Sequence, residues 1–146
     1  MPRWYAFIIL LPIIASSPDF YEVPFCFGPY AMKQDVKDQL VLKVFRYAPK
    51  NTASKVYDCS LEEKAGQILE DRHKSQDDLK SLGIYPLFFD IKEQHRKYTL
   101  YHVTHAAVDD WKKYIETVQF STFGCNYRKE YGLHRFLCLF KRKNPY

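Results

Sequence analysis

Two segments of the C-terminal half carry residue types that could cleave RNA by attack of a 2′-hydroxyl. That reaction needs a general base, a histidine as general acid and a cation that holds the phosphate. His102 and Glu116 could serve as acid and base, and Lys113 and Arg135 are candidate cations. Alternation allows His102 and Glu116 to share one face of a sheet, but a shared face does not place them within reach of each other. We therefore favour a structural or surface role for both.

The familiar catalytic motifs are absent from the sequence. It has no H-E-x-x-H, G-x-S-x-G, P-loop or dinucleotide-binding motif, which excludes the usual hydrolase and nucleotide-dependent chemistries. It has no C-x-x-C pair, and secreted thiols oxidise before they bind zinc, so we expect no metal and no cofactor. The chain is predicted to be non-enzymatic. An active secreted ribonuclease that uses His102, Glu116 and Arg135 is the alternative.

Positive charge is concentrated near the C-terminus. Residues 91–146 carry 11 Lys and Arg against 5 Asp and Glu, although the whole chain has a net charge of only +5. Such a surface suits a polyanion, because each phosphate contact releases counterions. The candidate RNA-binding residues are His102, Lys112, Lys113, Arg128, Lys129 and Arg135. A merely solvated basic face is the simpler alternative.

The N-terminus predicts export. Arg3 precedes an apolar run from Trp4 to Ile14, and Ala15 and the two following serines suit a signal peptidase. Residues 1–17 are therefore predicted to be a signal peptide, and residues 18–146 a single secreted domain. The apolar run is about half the length of a membrane-spanning helix, so we expect no anchor. We expect a monomer.

Four cysteines, Cys26, Cys59, Cys125 and Cys138, predict two disulfides in a secreted chain. Their spacing alone leaves three connectivities open.

The pattern of apolar residues predicts helices first and strands later. A helix is expected from Ala31 until Pro49 forbids it, followed by a short extended stretch at 55–59. Ser60 to Glu63 reads as a capping box, which predicts helices over 61–73 and 76–82. Four strands are predicted at 84–91, 98–106, 112–122 and 135–141, with a longer connection marked by Gly124, Asn126 and Gly132. This order predicts an α+β fold, in which the N-terminal helix and a second helical segment pack on an antiparallel sheet.

The chain resembles a family of ribonuclease-like secreted effectors from cereal powdery mildew fungi. The likeness rests on the segment Val23 to Tyr30 around Cys26, the helix through Val36 and Leu40, the Tyr85-Pro86 start of a sheet and the terminal Phe136-Leu137-Cys138. It implies a ribonuclease-like fold without the catalytic set. It also implies a bridge from Cys26 to Cys138, which leaves Cys59 to pair with Cys125, and this nested arrangement is the one we favour.

The resemblance further implies a virulence effector of a plant pathogen that is secreted and enters host cells. Its expected partners are host RNA or a host protein, including an intracellular immune receptor that would make it an avirulence determinant. A secreted inhibitor or ligand carrier is a separate hypothesis, suggested by the aromatic content of 17%. A structure that lacked both a concave apolar pocket and a protruding rigid loop would count against that hypothesis.

Overall fold

The computed structural model describes residues 23–50, 56–71, 76–93 and 99–142, so the predicted signal peptide lies outside the described residues. They form an α+β fold of helices and a four-stranded mixed sheet. The elements in chain order are α1 (Gln34–Tyr47), β1 (Val56–Tyr57), α2 (Cys59–Glu70), α3 (Asp77–Ser81), β2 (Ile84–Lys92), α4 (Leu100–Thr117), β3 (Phe120–Glu130) and β4 (Leu133–Arg142).

The sheet has the strand order β1-β3-β4-β2. β4 pairs antiparallel with β2 and β3, whereas β1 pairs parallel with β3. β4 is buried from His134 to Phe140, because helices cover both faces of the sheet. Pro86 lies in β2, at the sheet edge, where a missing backbone N–H is tolerated.

Two helical layers enclose the sheet. On one face α1 and α4 pack over Phe123, Phe136 and Phe140, and the ring of Phe45 meets that of Phe123 edge-on at 5.3 Å. On the other face α2 and α3 form a smaller core with Leu137 and Leu139. Alternate residues of β4 thus serve both cores, and the strand holds the three layers together.

The prediction of strands at 98–106 and 112–122 was wrong, because α4 occupies most of both segments. The Thr99 side chain caps this helix by accepting a hydrogen bond from the N–H of His102. Its buried residues recur at helical spacing: Val103, Thr104, Ala107, Val108, Trp111 and Ile115. The two short segments of alternating polarity that favoured strands are each shorter than this row of buried helical positions. The expected connection around Gly124 and Asn126 was also wrong, since both residues lie within β3.

The other predicted elements agree with the structure to within a few residues, and α2 starts two residues early. The helix begins earlier than the capping box placed it, because Asp58 is the N-cap and its carboxylate accepts from the N–H of Ser60. The sheet is mixed and covered on both faces. The predicted α+β class is confirmed, but β1 pairs parallel with β3, so the sheet is not purely antiparallel as expected, and the structure does not show a ribonuclease-like fold.

All four cysteines form disulfides, but the nested pairing was wrong. Cys26 bonds to Cys59, and Cys125 bonds to Cys138. Cys125 and Cys138 lie directly opposite each other on β3 and β4, so their bond crosses the two central strands. The Cys26–Cys59 bond links the segment before α1 to the first residue of α2. The two ends of the domain are therefore not joined covalently to each other.

Candidate interaction site

His102 and Glu116 do not form an acid and base pair. They lie near opposite ends of α4, and their separation of 14 residues corresponds to about 21 Å along a helix. The His102 ring shares a hydrogen bond with the Thr99 hydroxyl at 2.8 Å, and Glu116 pairs with Lys112 at 3.8 Å. Both residues therefore make local contacts on the surface of their own helix.

Most of the cations chosen from the sequence already have carboxylate partners. Arg128 lies 3.4 Å from Glu130, and Lys129 lies 2.7 Å from Glu93. Arg135 is only 7% exposed; its guanidinium lies near Asp90 and Glu130 and donates to the carbonyl of Leu69. Lys113 is on α4 with Lys112, away from the β3–β4 hairpin in sequence. Lys112, Arg128, Lys129 and Arg135 are therefore each compensated by a carboxylate.

The strongest cluster of charged groups is instead buried. Lys37 on α1 and Glu62 on α2 are each 1% exposed, and the Lys37 Nζ lies 3.0 Å from the Glu62 Oε1. The hydroxyl of Tyr57 donates to the same oxygen at 2.6 Å. Burial and the Glu62 carboxylate raise the pKa of Tyr57 well above its ordinary value, so this phenol stays protonated as the donor.

Further contacts complete this buried cluster. The Tyr57 hydroxyl accepts a hydrogen bond from the N–H of Cys125 at 3.2 Å. The Asn126 side-chain amide donates hydrogen bonds to the carbonyls of Glu62 and Tyr30. Gly124 lets α2 approach β3, since a Cβ there would lie 2.6 Å from the carbonyl oxygen of Asp58. Because each charged group has a partner inside the protein, the cluster joins α1, α2 and β3 and offers nothing to a ligand.

The β3–β4 hairpin presents the opposite case, an exposed aromatic residue. Tyr131 and Gly132 form its two-residue turn, with φ of 51° and 70°. This is the geometry of a type I′ turn, which favours Asn or Gly at both positions. Tyr131 nevertheless occupies the first one and is 95% exposed. The left-handed backbone costs a bulky side chain free energy and gives Tyr131 no contact area in return.

Neighbouring contacts hold this hairpin tip in place. The N–H of Glu93, just past β2, donates to the carbonyl of Gly132 at 2.7 Å, and the Glu93 carboxylate also binds Lys129. Glu130 pairs with Arg128 on its own strand and with Arg135 on β4. The tip is therefore a tight, braced turn level with the end of β2, and the Tyr131 side chain is its exposed part.

A tyrosine and histidine pair supports the hairpin from within. The Tyr127 hydroxyl and the Nδ1 of His134 lie 2.6 Å apart, and the Tyr127 ring packs on Phe136. Burial raises the pKa of Tyr127 to about 12, with a further contribution from Glu93. Burial also lowers the pKa of His134, and the charge of Lys129 acts in the same direction. Both groups are consequently neutral near pH 7.

The fold and this tip define a class of protein: a disulfide-bonded α/β/α domain that presents an aromatic residue on a braced hairpin. The family model described as ASPRs, Ancylostoma-associated secreted protein related, matches residues 26–140. The chain belongs to this family. The resemblance to fungal ribonuclease-like effectors was therefore wrong, and with it the expected plant-pathogen biology.

Solved structures show the same fold at low sequence identity. NaASP2, crystallised with Zn²⁺, is 11% identical over 79% of this chain and 83% of that chain, with a TM-score of 0.57. Na-ASP-1 is 14% identical over 86% of this chain but only 44% of that chain, with a TM-score of 0.56. Hookworm Platelet Inhibitor is 14% identical over 83% of this chain and 76% of that chain, with a TM-score of 0.51. No curated protein sequence matches the chain.

Two further features of the described residues bear on function. They contain no group of three or more His, Cys, Asp or Glu side chains placed to hold a metal ion. None of their helices is long and apolar enough to cross a bilayer.

The sequence interpretation missed Tyr131 as a site residue. The signal available was the Tyr-Gly dipeptide just before the last predicted strand, of which only Gly132 was recognised as a turn residue.

Proposed function

We propose that this chain is a secreted inhibitor that acts without catalysis, by binding a partner protein through the hairpin tip at Tyr131. Support for secretion comes from the family, whose members are described as secreted proteins, and from the two disulfides. Support for inhibition by binding comes from the tip, a tight turn held by hydrogen bonds and ion pairs that exposes one large aromatic side chain. The placement of Tyr131 is the observation on which the proposal rests.

Tyrosine suits this role because of its physical chemistry. A large ring with only two side-chain torsions supplies contact area at low entropic cost, and tyrosine is enriched among the residues that dominate binding energies. The braces from Glu93 and Glu130 fix the tip before binding, so little ordering remains when a partner arrives. Tyr131 would enter a pocket of the partner, with Arg128 and Lys129 at the rim.

The choice of partner to test first comes from a structural relative. Hookworm Platelet Inhibitor shares the fold, and its name states its effect on platelets. We extend that effect to this chain and take a platelet-surface protein as its target.

The test is platelet aggregation in the presence of the chain recovered from the medium of expressing cells. We expect dose-dependent inhibition by the wild type and at least a tenfold weaker effect of Tyr131→Asn. Asn suits the turn, so the variant should keep the fold, which circular dichroism and thermal unfolding can verify. Tyr101→Asn is the matched control, because Tyr101 is also an exposed tyrosine, at 52%, but lies on α4.

The outcomes separate the parts of the proposal. Equal inhibition by Tyr131→Asn and wild type would reject the tip as the contact. No inhibition at any concentration would reject the platelet target. Turnover of RNA or of another substrate by the purified chain would reject inhibition by binding alone.

A further inference from the structure

A second site lies at the opposite end of β4 from the tip. Residues from α3, the start of β2 and the end of β4 surround a recess of about 260 Å³, lined by Lys80, Gly83, Ile84, Tyr85 and Arg142. The N–H of Arg142 donates to the carbonyl of Gly83 at 3.0 Å, which ties the end of β4 to the turn before β2. The backbone around the recess is therefore fixed, and the side chains of Lys80 and Arg142 extend from secondary structure.

The two cations of this recess differ from the paired ones near the hairpin. No carboxylate among the described residues forms an ion pair with either Lys80 or Arg142. Both side chains are exposed, and the Arg142 guanidinium also lies close enough to the Tyr114 hydroxyl to act on its pKa; together the two cations favour an anion in the recess. Lys80 donates three hydrogens from a point charge, and Arg142 offers a planar fork, a combination that matches the oxygens of a tetrahedral anion.

An aromatic wall completes the recess. The rings of Tyr85 and Tyr114 stack at 4.8 Å with an interplanar angle of 15°, which holds the Tyr85 ring in a fixed plane. Tyr85 is 46% exposed, so part of its ring stays available. Gly83, at φ of +70°, has no heavy atom within 4 Å of the position that a Cβ would take, so this side of the recess is open. The volume exceeds that of one tetrahedral anion and leaves space for the group that carries it.

We propose that this recess binds a sulfate group of a sulfated polysaccharide, with Lys80 and Arg142 holding the sulfate and Tyr85 packing against the sugar ring. The cations supply charge-assisted hydrogen bonds, and the apolar C–H face of a sugar fits a flat aromatic ring. The site would hold the secreted chain at an extracellular surface while the hairpin tip stays free. It rests on the proposed secretion, but not on the platelet target or on Tyr131.

The test uses the full secreted chain and heparin oligosaccharides, with affinity measured by calorimetry at several salt concentrations. We expect wild-type binding that weakens with salt, and at least a tenfold loss in each of Lys80→Ala, Arg142→Ala and Tyr85→Ala. The matched control is the double variant Arg128→Ala/Lys129→Ala, which removes one Arg and one Lys at the other end of the sheet. It should bind heparin within about twofold of wild type.

Several results would overturn the site. Loss of heparin binding in the Arg128/Lys129 double variant, with Lys80→Ala and Arg142→Ala unaffected, would move the polyanion site to the hairpin. Equal binding of desulfated heparin would reject sulfate recognition. Binding to vesicles of anionic phospholipid with no affinity for heparin would assign the recess to a membrane surface. Failure of the platelet test leaves these outcomes unchanged, because it uses a different residue and a different readout.

Discussion

The interior and the hairpin tip of this domain reverse the usual placement of side chains. Lys37 and Glu62 are charged and 1% exposed, whereas Tyr131 is aromatic and 95% exposed. Charged residues are almost never fully buried unless they are paired, and an exposed aromatic residue gains nothing from the hydrophobic effect. Each placement therefore needs its own explanation.

The buried cluster and Tyr131 differ in whether their side chains have interaction partners within the domain. Lys37, Glu62 and Tyr57 satisfy one another, so the buried cluster belongs to the stability of the fold. Tyr131 is almost fully exposed to solvent and also occupies a left-handed backbone conformation. A change inside should therefore cost stability, and a change at the tip should cost binding while it improves stability.

The largest expected effect is on the buried pair. Lys37→Met leaves the Glu62 carboxylate buried without its cation, and we expect the free energy of unfolding to fall by about 3–5 kcal/mol. Denaturant unfolding followed by circular dichroism measures this. The double variant Lys37→Met/Glu62→Leu removes both charges and should recover most of the loss. A single variant that unfolds within about 1 kcal/mol of wild type would show that the pair does not hold the helices together.

A smaller effect of opposite sign is expected at the tip. Tyr131→Asn relieves the strained φ, and we expect the free energy of unfolding to rise by about 1 kcal/mol. Tyr101→Asn, on helical backbone, should give no gain, because Asn has a lower helix propensity and the contact of Tyr101 with His105 is lost. Equal stability changes in the two variants would show that the turn geometry is not the cause.

The smallest effect concerns the histidine beneath the tip. Burial lowers the pKa of His134 below its ordinary 6.5, so the unfolded chain binds this proton more readily than the native protein. Stability should therefore fall as the pH drops through 6.5 toward the lowered pKa and be flat above about 7.5. His134→Gln should reduce this slope in unfolding measured between about pH 5 and 8. His105, whose pKa is lowered mainly by burial, should account for part of the slope that remains.

The local pattern of apolar residues was sufficient to predict the elements in which that pattern has one clear period. The apolar stripe of α1 and the β-rich run of β4 each follow a single repeat that their tertiary contacts reinforce. α4 was missed because Tyr98 to His105 and Tyr114 to Phe120 alternate locally, although the buried stripe runs over the whole helix. β3 was missed for a tertiary reason: Gly124 lies in a central strand because α2 approaches it closely, and its type alone indicates a turn.

The hairpin tip and the recess depend on strand pairing and tertiary contacts, which the sequence alone does not reveal. Gly132 predicted a turn, but the exposure of Tyr131 follows from the pairing of β3 with β4. The basic residues near the C-terminus can be counted in the sequence, but their carboxylate partners, which come from β2, the segment just after it and β3, cannot. Lys80 and Arg142 lie far apart in the sequence and were not considered together. The fungal resemblance was wrong, because it rested on short motifs, whereas the family model that matches residues 26–140 covers most of the chain.

The two disulfides are independent cross-links that differ in their exposure to solvent. Cys125 and Cys138 are fully buried between the central strands, whereas Cys26 and Cys59 are partly exposed at the start of α2. A reductant should therefore reduce the Cys26–Cys59 bond before the Cys125–Cys138 bond. Reduction of the first bond would release the segment before α1, with Phe25 and Phe27, while β3 and β4 stay cross-linked. Partial reduction would thus yield a protein with a loosened leading segment and an unchanged hairpin, a form that mass spectrometry after rapid alkylation can isolate.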